Sequence, residues 1–221
     1  GKYLVDFFAF KYDDADAIKK KIVFEGLEKV DRALKSGKGC IILTGHFGNW
    51  ELGGYMMAKL GYKLNVVALD HSDQRINDIF IQRRKKAGTN IASIGSAKQF
   101  CLAALKRNEL VAIVGDRPYG ESGIDINFFG KTARIPRGAA LFSIRTGAPL
   151  IIVFTYKTDD KNMDNKMVFE EPVPVKRDLP VHAAMRDATQ YFISRFESYI
   201  RKYPSQWYMF HHVWGDRQEK I

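Results

Sequence analysis

Two side chains able to exchange protons stand close together in the segment Thr44-Gly45-His46-Phe47-Gly48-Asn49-Trp50-Glu51. An imidazole with one ring nitrogen bonded to a carboxylate has a fixed tautomer, and its other nitrogen is free to take a proton. His46 and Glu51 therefore read as a general base and its orienter, with Glu51 reaching back across the first turn of a helix. A lone histidine is more often structural than catalytic. Three features count for chemistry here: a strand end just before it, glycines on both sides, and a carboxylate one turn on. A metal reading is weaker. No third His or Cys lies near His46 and Glu51, and adjacent His211 and His212 point different ways on any regular backbone, so no metal or metal cofactor is expected.

A second polar segment, Gly115-Asp116-Arg117-Pro118-Tyr119-Gly120, also follows an apolar run. Ligands of open α/β sheets bind beyond the carboxyl ends of the strands, so Asp116 is expected on the same rim as His46. Motifs for other chemistries are missing. The sequence has no G-x-x-x-x-G-K-[ST], no G-x-G-x-x-G after a strand, no G-x-S-x-G and no H-E-x-x-H, which argues against a P-loop, a dinucleotide site, a serine hydrolase and a zincin.

The elements that must hold these residues alternate along the chain. Asp13-Asp14 caps a helix carrying Ile18, Ile22, Leu27, Val30 and Leu34 at helical spacing, ended by Gly37. A strand from Cys40 is followed by a helix over about 49–60 and a strand over 64–69. Asp73 opens a helix with Ile76, Ile79 and Phe80 that closes on Arg83-Arg84-Lys85-Lys86, where basic residues suit the helix dipole. Then come a strand over 91–94, a helix capped by Ser96, a strand over 110–114, and a long loop or short hairpin up to Arg134. Pro136 starts a helix that Gly147 stops. Residues 149–156 form the most hydrophobic strand, with 166–172 as its antiparallel return. A long amphipathic helix covers about 180–202, and the aromatic tail 207–214 is expected to pack back on the body.

At 221 residues and 46% hydrophobic, the chain can bury a full core as one domain over 1–221. The two cysteines, Cys40 and Cys101, lie in apolar segments and read as packed thiols. No run of about 18 apolar residues is present. The net charge of +10 favours anionic partners without choosing among them. The chain starts at Gly1 with the apolar stretch Tyr3 to Phe10, which reads either as the remainder of a trimmed segment or as a processed start.

Taken in order, these motifs resemble the lysophospholipid acyltransferase superfamily, and most closely its branch of lipid A late acyltransferases. The superfamily pattern H-x-x-x-x-D/E is matched by His46 and Glu51 in the form H-F-G-N-W-E. Its arginine before a glycine is matched by Arg84, with Arg83 as the alternative register, and its D-x-x-x-G by Asp116 with Gly120. Further matches are Phe128-Phe129-Gly130, Pro136-Arg137-Gly138, Gly147-Ala148-Pro149 and the closing Pro204-Ser205-Gln206-Trp207.

The resemblance implies an α/β fold, an open mixed, mostly parallel sheet flanked by helices in αβα layers. It implies transfer of a fatty acyl group from an acyl carrier protein or coenzyme A thioester to a hydroxyl of a lipid A precursor or related (lyso)lipid, with no further cofactor. His46 would be the base and Glu51 its partner. Arg84, Arg83, Asp116, Asn49, Gly48, Gly130 and Arg137 would contact substrate, Arg84 through a phosphate, and the backbone N–H groups of Gly48 and Asn49 would meet the oxyanion. Trp50, Tyr55, Phe128 and Phe129 would line the acyl slot or serve as core. The branch usually carries an N-terminal membrane helix, so this chain is expected either to have lost one or to bind peripherally at the cytoplasmic face of the inner (plasma) membrane, on anionic lipid. A basic lipid- or nucleic-acid-binding module without catalysis is the rival from another class, but no nucleic-acid motif is evident and no nucleic acid is expected. Hydrolysis of the thioester is the third reading.

Overall fold

The fold follows from strands that are apolar on both faces and helices that are apolar on one. In the computed structural model, residues 15–20, 22–68, 73–117, 123–158 and 165–214 are described. The aromatic start, the Asp13-Asp14 cap, Pro118 to Gly120 and Leu69 lie outside them. The elements run α1 (Ala15–Lys19), β1 (Ile22–Glu25), α2 (Glu28–Leu34), β2 (Cys40–Thr44), α3 (Trp50–Lys59), β3 (Leu64–Ala68), α4 (Gln74–Lys86), β4 (Asn90–Ser93), α5 (Ala97–Lys106) and β5 (Leu110–Val114). They continue with β6 (Ile124–Phe128), β7 (Lys131–Ile135), α6 (Gly138–Thr146), β8 (Leu150–Tyr156), β9 (Asn165–Phe169) and α7 (Val181–Lys202).

The main sheet has seven strands in the order β1-β9-β8-β2-β5-β3-β4. Every neighbouring pair is parallel except β8 with β9, so the expected mixed, mostly parallel α/β sheet is what forms. β6 and β7 make a separate antiparallel hairpin, settling the choice between loop and hairpin before Arg134. Alternation along β2 divides the core in two. Cys40 and Ile42 pack with Val30, Leu52, Met56 and Ile151 on the face covered by α2 and α3, whereas Ile41 and Leu43 pack with Leu105, Ala140, Phe192 and Phe196 under α5, α6 and α7. β8 is buried along its whole length, as expected of a central strand covered on both faces.

Three local expectations are corrected. The single helix expected from Ile18 to Leu34 is two short helices separated by β1, which pairs in parallel with β9 through Ile22↔Asn165 to Glu25↔Val168. The β-branched pair Ile22-Val23 prefers the extended state, and the helical spacing of Ile22, Leu27 and Val30 is a coincidence of two elements. Ser96 does not cap α5 through its side chain. Its hydroxyl donates to the Ser93 carbonyl, at 3.2 Å, within the 3₁₀ turn Ile94–Ser96. Pro136 precedes α6, which starts at Gly138 after Arg137.

Candidate active site

β2 and β5 are hydrogen-bonded neighbours with Thr44 opposite Val114, so the chain leaves both strands at the same level of the sheet. His46 and Asp116 each lie two positions beyond that last pair, and this register brings them into contact. His46 Nδ1 and Asp116 Oδ1 are 2.7 Å apart. The Asp116 side chain is fully buried and the His46 side chain is 23% exposed, so the ring keeps some access to solvent while its partner has none. With Nδ1 donating to a carboxylate, the neutral ring has its lone pair on Nε2, which has no partner among the described residues. Trp50 packs edge-on against the imidazole, ring centres 5.0 Å apart.

Glu51 does something else. Its two oxygens accept from Arg84 Nε at 3.2 Å and Nη2 at 2.5 Å, a two-point ion pair joining α3 to α4. The expectation that Glu51 orients His46 is therefore corrected: Asp116 holds the imidazole, and Glu51 neutralises Arg84. Sequence proximity favoured Glu51, but a side chain in the first turn of a helix projects along that helix, while the register of β2 and β5 sets Asp116 on the ring. Arg84 also lies 5.6 Å from the Phe80 ring centre. The phosphate contact expected of Arg84 would have to accommodate a charge already shared with Glu51.

The turn between β2 and α3 is fixed tightly. Gly48 has φ +60°, and a Cβ there would fall 2.1 Å from the Thr155 carbonyl oxygen, so glycine is required. Its N–H donates to the Gln206 carbonyl at 2.8 Å, and the Asn49 N–H donates to the Thr155 carbonyl at 2.6 Å. Both donors expected to meet an oxyanion are spent within the fold, which corrects that assignment. Asn49 is buried and caps α3, its Oδ1 accepting the Leu52 N–H at 3.0 Å.

His46, Glu51, Arg84, Asp116, Arg117 and Arg137 line one cavity of about 1310 Å³ that takes in the carboxyl ends of β2, β5 and β3 and runs along those strands as far as Ile42, Ala112 and Leu64. That exceeds the roughly 300–1,000 Å³ of common small-molecule sites and suits a long-chain ligand with a second substrate. Tyr55, Met57, Val66, Phe80, Leu141 and Phe142 supply much of its apolar wall. Trp50 and Tyr55 are in that wall as expected. Phe128 and Phe129 are not: Phe128 is fully buried against Phe196 and Trp207, and Phe129 lies under Arg201. Gly130 is exposed in the β6–β7 turn at φ +79°, and neither it, Gly48, Asn49 nor Arg83 lines the cavity.

Arg117 was singled out by its sequence only as a neighbour of Asp116. Burial pulls its pKa down, opposed by the Asp116 charge, and its Nε is buried with no hydrogen-bond partner among the described residues. Its Nη2 donates to the Tyr208 carbonyl. The tail following α7 thus closes one side of the site. A second cavity of about 630 Å³, around Asn65, Thr89, Asn90 and Arg107, contains none of these residues.

A mostly parallel sheet with a carboxylate-held histidine at its rim, opening on a large and mainly apolar cavity, has the parts with which an imidazole could take a proton from a long-chain substrate. The family description bacterial lipid A biosynthesis acyltransferase matches residues 1–215, and the chain belongs to that family. Among curated proteins it is similar to phosphatidylinositol mannoside acyltransferase of Mycolicibacterium smegmatis, 27% identical over 187 residues, covering 82% of this chain and 59% of the relative. The Mycobacterium tuberculosis (strain ATCC 25618 / H37Rv) protein of the same name is 26% identical over 133 residues, 58% of this chain and 42% of its own length. Lipid A biosynthesis palmitoleoyltransferase of Escherichia coli is 27% identical over 146 residues, covering 65% and 47% respectively. The chain spans about half the length of the curated relatives it matches.

Proposed function

We propose that this chain transfers a fatty acyl group from a thioester to a hydroxyl of a lipid, with His46 as general base and Asp116 as its orienter. The observation that carries the reading is the 2.7 Å contact between His46 Nδ1 and Asp116 Oδ1 at a histidine that lines the cavity. Nε2 takes the proton as the acceptor oxygen attacks the thioester carbonyl. The tetrahedral intermediate collapses with loss of the thiolate, and the imidazolium returns the proton to the leaving sulfur. Buried Asp116 stabilises the imidazolium between those two transfers. A base of this kind contributes roughly a hundred- to ten-thousand-fold. With the Gly48 and Asn49 amides committed elsewhere, the guanidinium of Arg117, which lines the same cavity, is the candidate donor to the oxyanion.

The donor in this reading is an acyl carrier protein or coenzyme A thioester, and the acceptor is a lipid A precursor or a related glycolipid such as a phosphoinositol mannoside. The names of the relatives and the cationic wall of the cavity support an anionic lipid. The reaction would take place at the cytoplasmic face of the plasma membrane. No helix among the described residues is long and apolar enough to cross a membrane. Ile76 and Ile79 on α4, each 45% exposed, and Phe210 in the tail, 83% exposed, offer an apolar rim for peripheral contact, and the net charge of +10 favours an anionic surface.

The test is mass-spectrometric detection of acylated lipid from purified protein given each thioester with and without a lipid alcohol. Acylated product that disappears in His46→Ala supports the reading. Free fatty acid formed equally well without the alcohol would replace transfer by hydrolysis, and turnover unchanged in His46→Ala would reject the base.

A further inference from the structure

The closing motif Pro204-Ser205-Gln206-Trp207 has no part in the chemistry above, yet the structure folds it against both halves of the dyad. Residues 206–208 run antiparallel to residues 46–48. The Phe47↔Trp207 bridge is flanked by two backbone hydrogen bonds, Gly48 N–H to the Gln206 carbonyl at 2.8 Å and Tyr208 N–H to the His46 carbonyl at 2.9 Å. The side chain of the central residue reaches the other half: Trp207 Nε1 lies 3.3 Å from Asp116 Oδ2. Among the described residues, the two oxygens of Asp116 thus have one partner each, His46 on Oδ1 and Trp207 on Oδ2.

We propose that Trp207 is a positioning residue, its indole N–H holding the outer oxygen of Asp116 so that the inner one faces His46 Nδ1. A carboxylate on a turn can rotate about its terminal torsion, which is broad. A donor on each oxygen removes that freedom. Burial raises the stakes, because a buried carboxylate left short of a donor loses a charge-assisted hydrogen bond that water cannot replace. Tryptophan suits the place because indole only donates, so it cannot compete with the carboxylate for the imidazole proton. The ring itself is held by an aromatic cage, with Phe128 at 5.5 Å, Phe196 at 6.1 Å, Trp214 at 6.4 Å and Phe129 at 6.5 Å between ring centres. Such a cage fixes the direction of the N–H without loading the site with further polar groups.

This inference rests on the His46–Asp116 dyad, and its test separates the two. In wild-type protein labelled with ¹⁵N-tryptophan, the three indole N–H signals are recorded and Trp207 is assigned through Trp207→Phe. The Trp207 signal is expected downfield, as for a donor to a carboxylate, and Asp116→Asn should move it while leaving Trp214, whose N–H goes to the Phe128 carbonyl, unchanged. In initial-rate assays with an acyl thioester and a lipid alcohol, Trp207→Phe keeps the ring but loses the donor. It should lower kcat several-fold with KM unchanged, and its folded fraction should match wild type. An indole signal that ignores Asp116→Asn overturns the proposal, and where Trp207→Phe fails to fold the Trp207 signal is assigned by elimination from Trp50→Phe and Trp214→Phe. A folded Trp207→Phe with wild-type kcat overturns it as well. If Asp116→Asn itself keeps full activity, the dyad fails instead, and the positioning role falls with it.

Discussion

Replacing Asp116 by asparagine preserves volume and shape while changing which atom can face the imidazole. In the native site Oδ1 meets His46 Nδ1 at 2.7 Å and Oδ2 meets the Trp207 indole at 3.3 Å. Indole can only donate, so the asparagine carbonyl must turn to Trp207 and the amide NH₂ must turn to Nδ1. Nδ1 then has to accept, which moves the ring proton onto Nε2, the nitrogen assigned the role of base. A ring protonated there cannot take the proton of an attacking hydroxyl. The expected loss is the whole share of the general base, roughly 10²–10⁴-fold in kcat, or about 2.7–5.4 kcal/mol of transition-state stabilisation at 1.36 kcal/mol per decade. KM should stay at its wild-type value, because nothing that binds both ground and transition states has been removed. Initial rates over a series of lipid concentrations, with a thermal melt of each protein, read both quantities. An Asp116→Asn protein with wild-type kcat and an unchanged melt would refute the tautomer argument and return the orienting role to another group.

Three further outcomes are expected. In a double-mutant cycle on Glu51→Gln and Arg84→Met, followed by denaturant unfolding, the coupling should be about 1–2 kcal/mol, since the side chains are only 12% and 20% exposed; additive losses would mean that the pair does not staple α3 to α4. Gly48→Ala should be among the most damaging single substitutions, because the new Cβ would fall 2.1 Å from a backbone oxygen at φ +60°; a melting temperature equal to wild type would show that the turn can relax. Glu109, held below the usual 4.5 by Arg107 hydrogen bonds, with further help from Asn65, stabilises the fold above its unfolded pKa and loses that contribution as pH falls through its lowered folded value. The melting-temperature gap between wild type and Glu109→Gln should therefore be full at neutral pH and close in acid below 4.5; a gap independent of pH would contradict it.

The sheet was largely legible because its strands are short apolar runs cut by Gly or Asp. β8 and β5 needed no tertiary information to be seen. β1 was hidden, since its partner β9 lies more than a hundred residues away and its residues also fit a helical stripe. The shared rim of His46 and Asp116 was legible too, because both follow strand ends. Their pairing was not. Sequence places Glu51 five positions from His46 and Asp116 seventy, while the adjacency of β2 and β5 belongs only to the folded sheet. For the same reason Gly48 and Asn49 looked like free donors: the carbonyls that occupy them come from β8 and from the tail. Trp207 was visible as part of a motif, but nothing local connects an indole after α7 with an acid after β5.

The Phe47↔Trp207 bridge also has a bearing on synthesis, because translation delivers the N-terminal half first. A ribosome that has reached the end of α7 has already made the imidazole, the acid that aims it and most of the apolar cavity wall. The nascent chain still lacks the edge partner that fastens the turn after β2. The turn that carries His46 is therefore fastened only once residues 206–208 have been made and laid beside it.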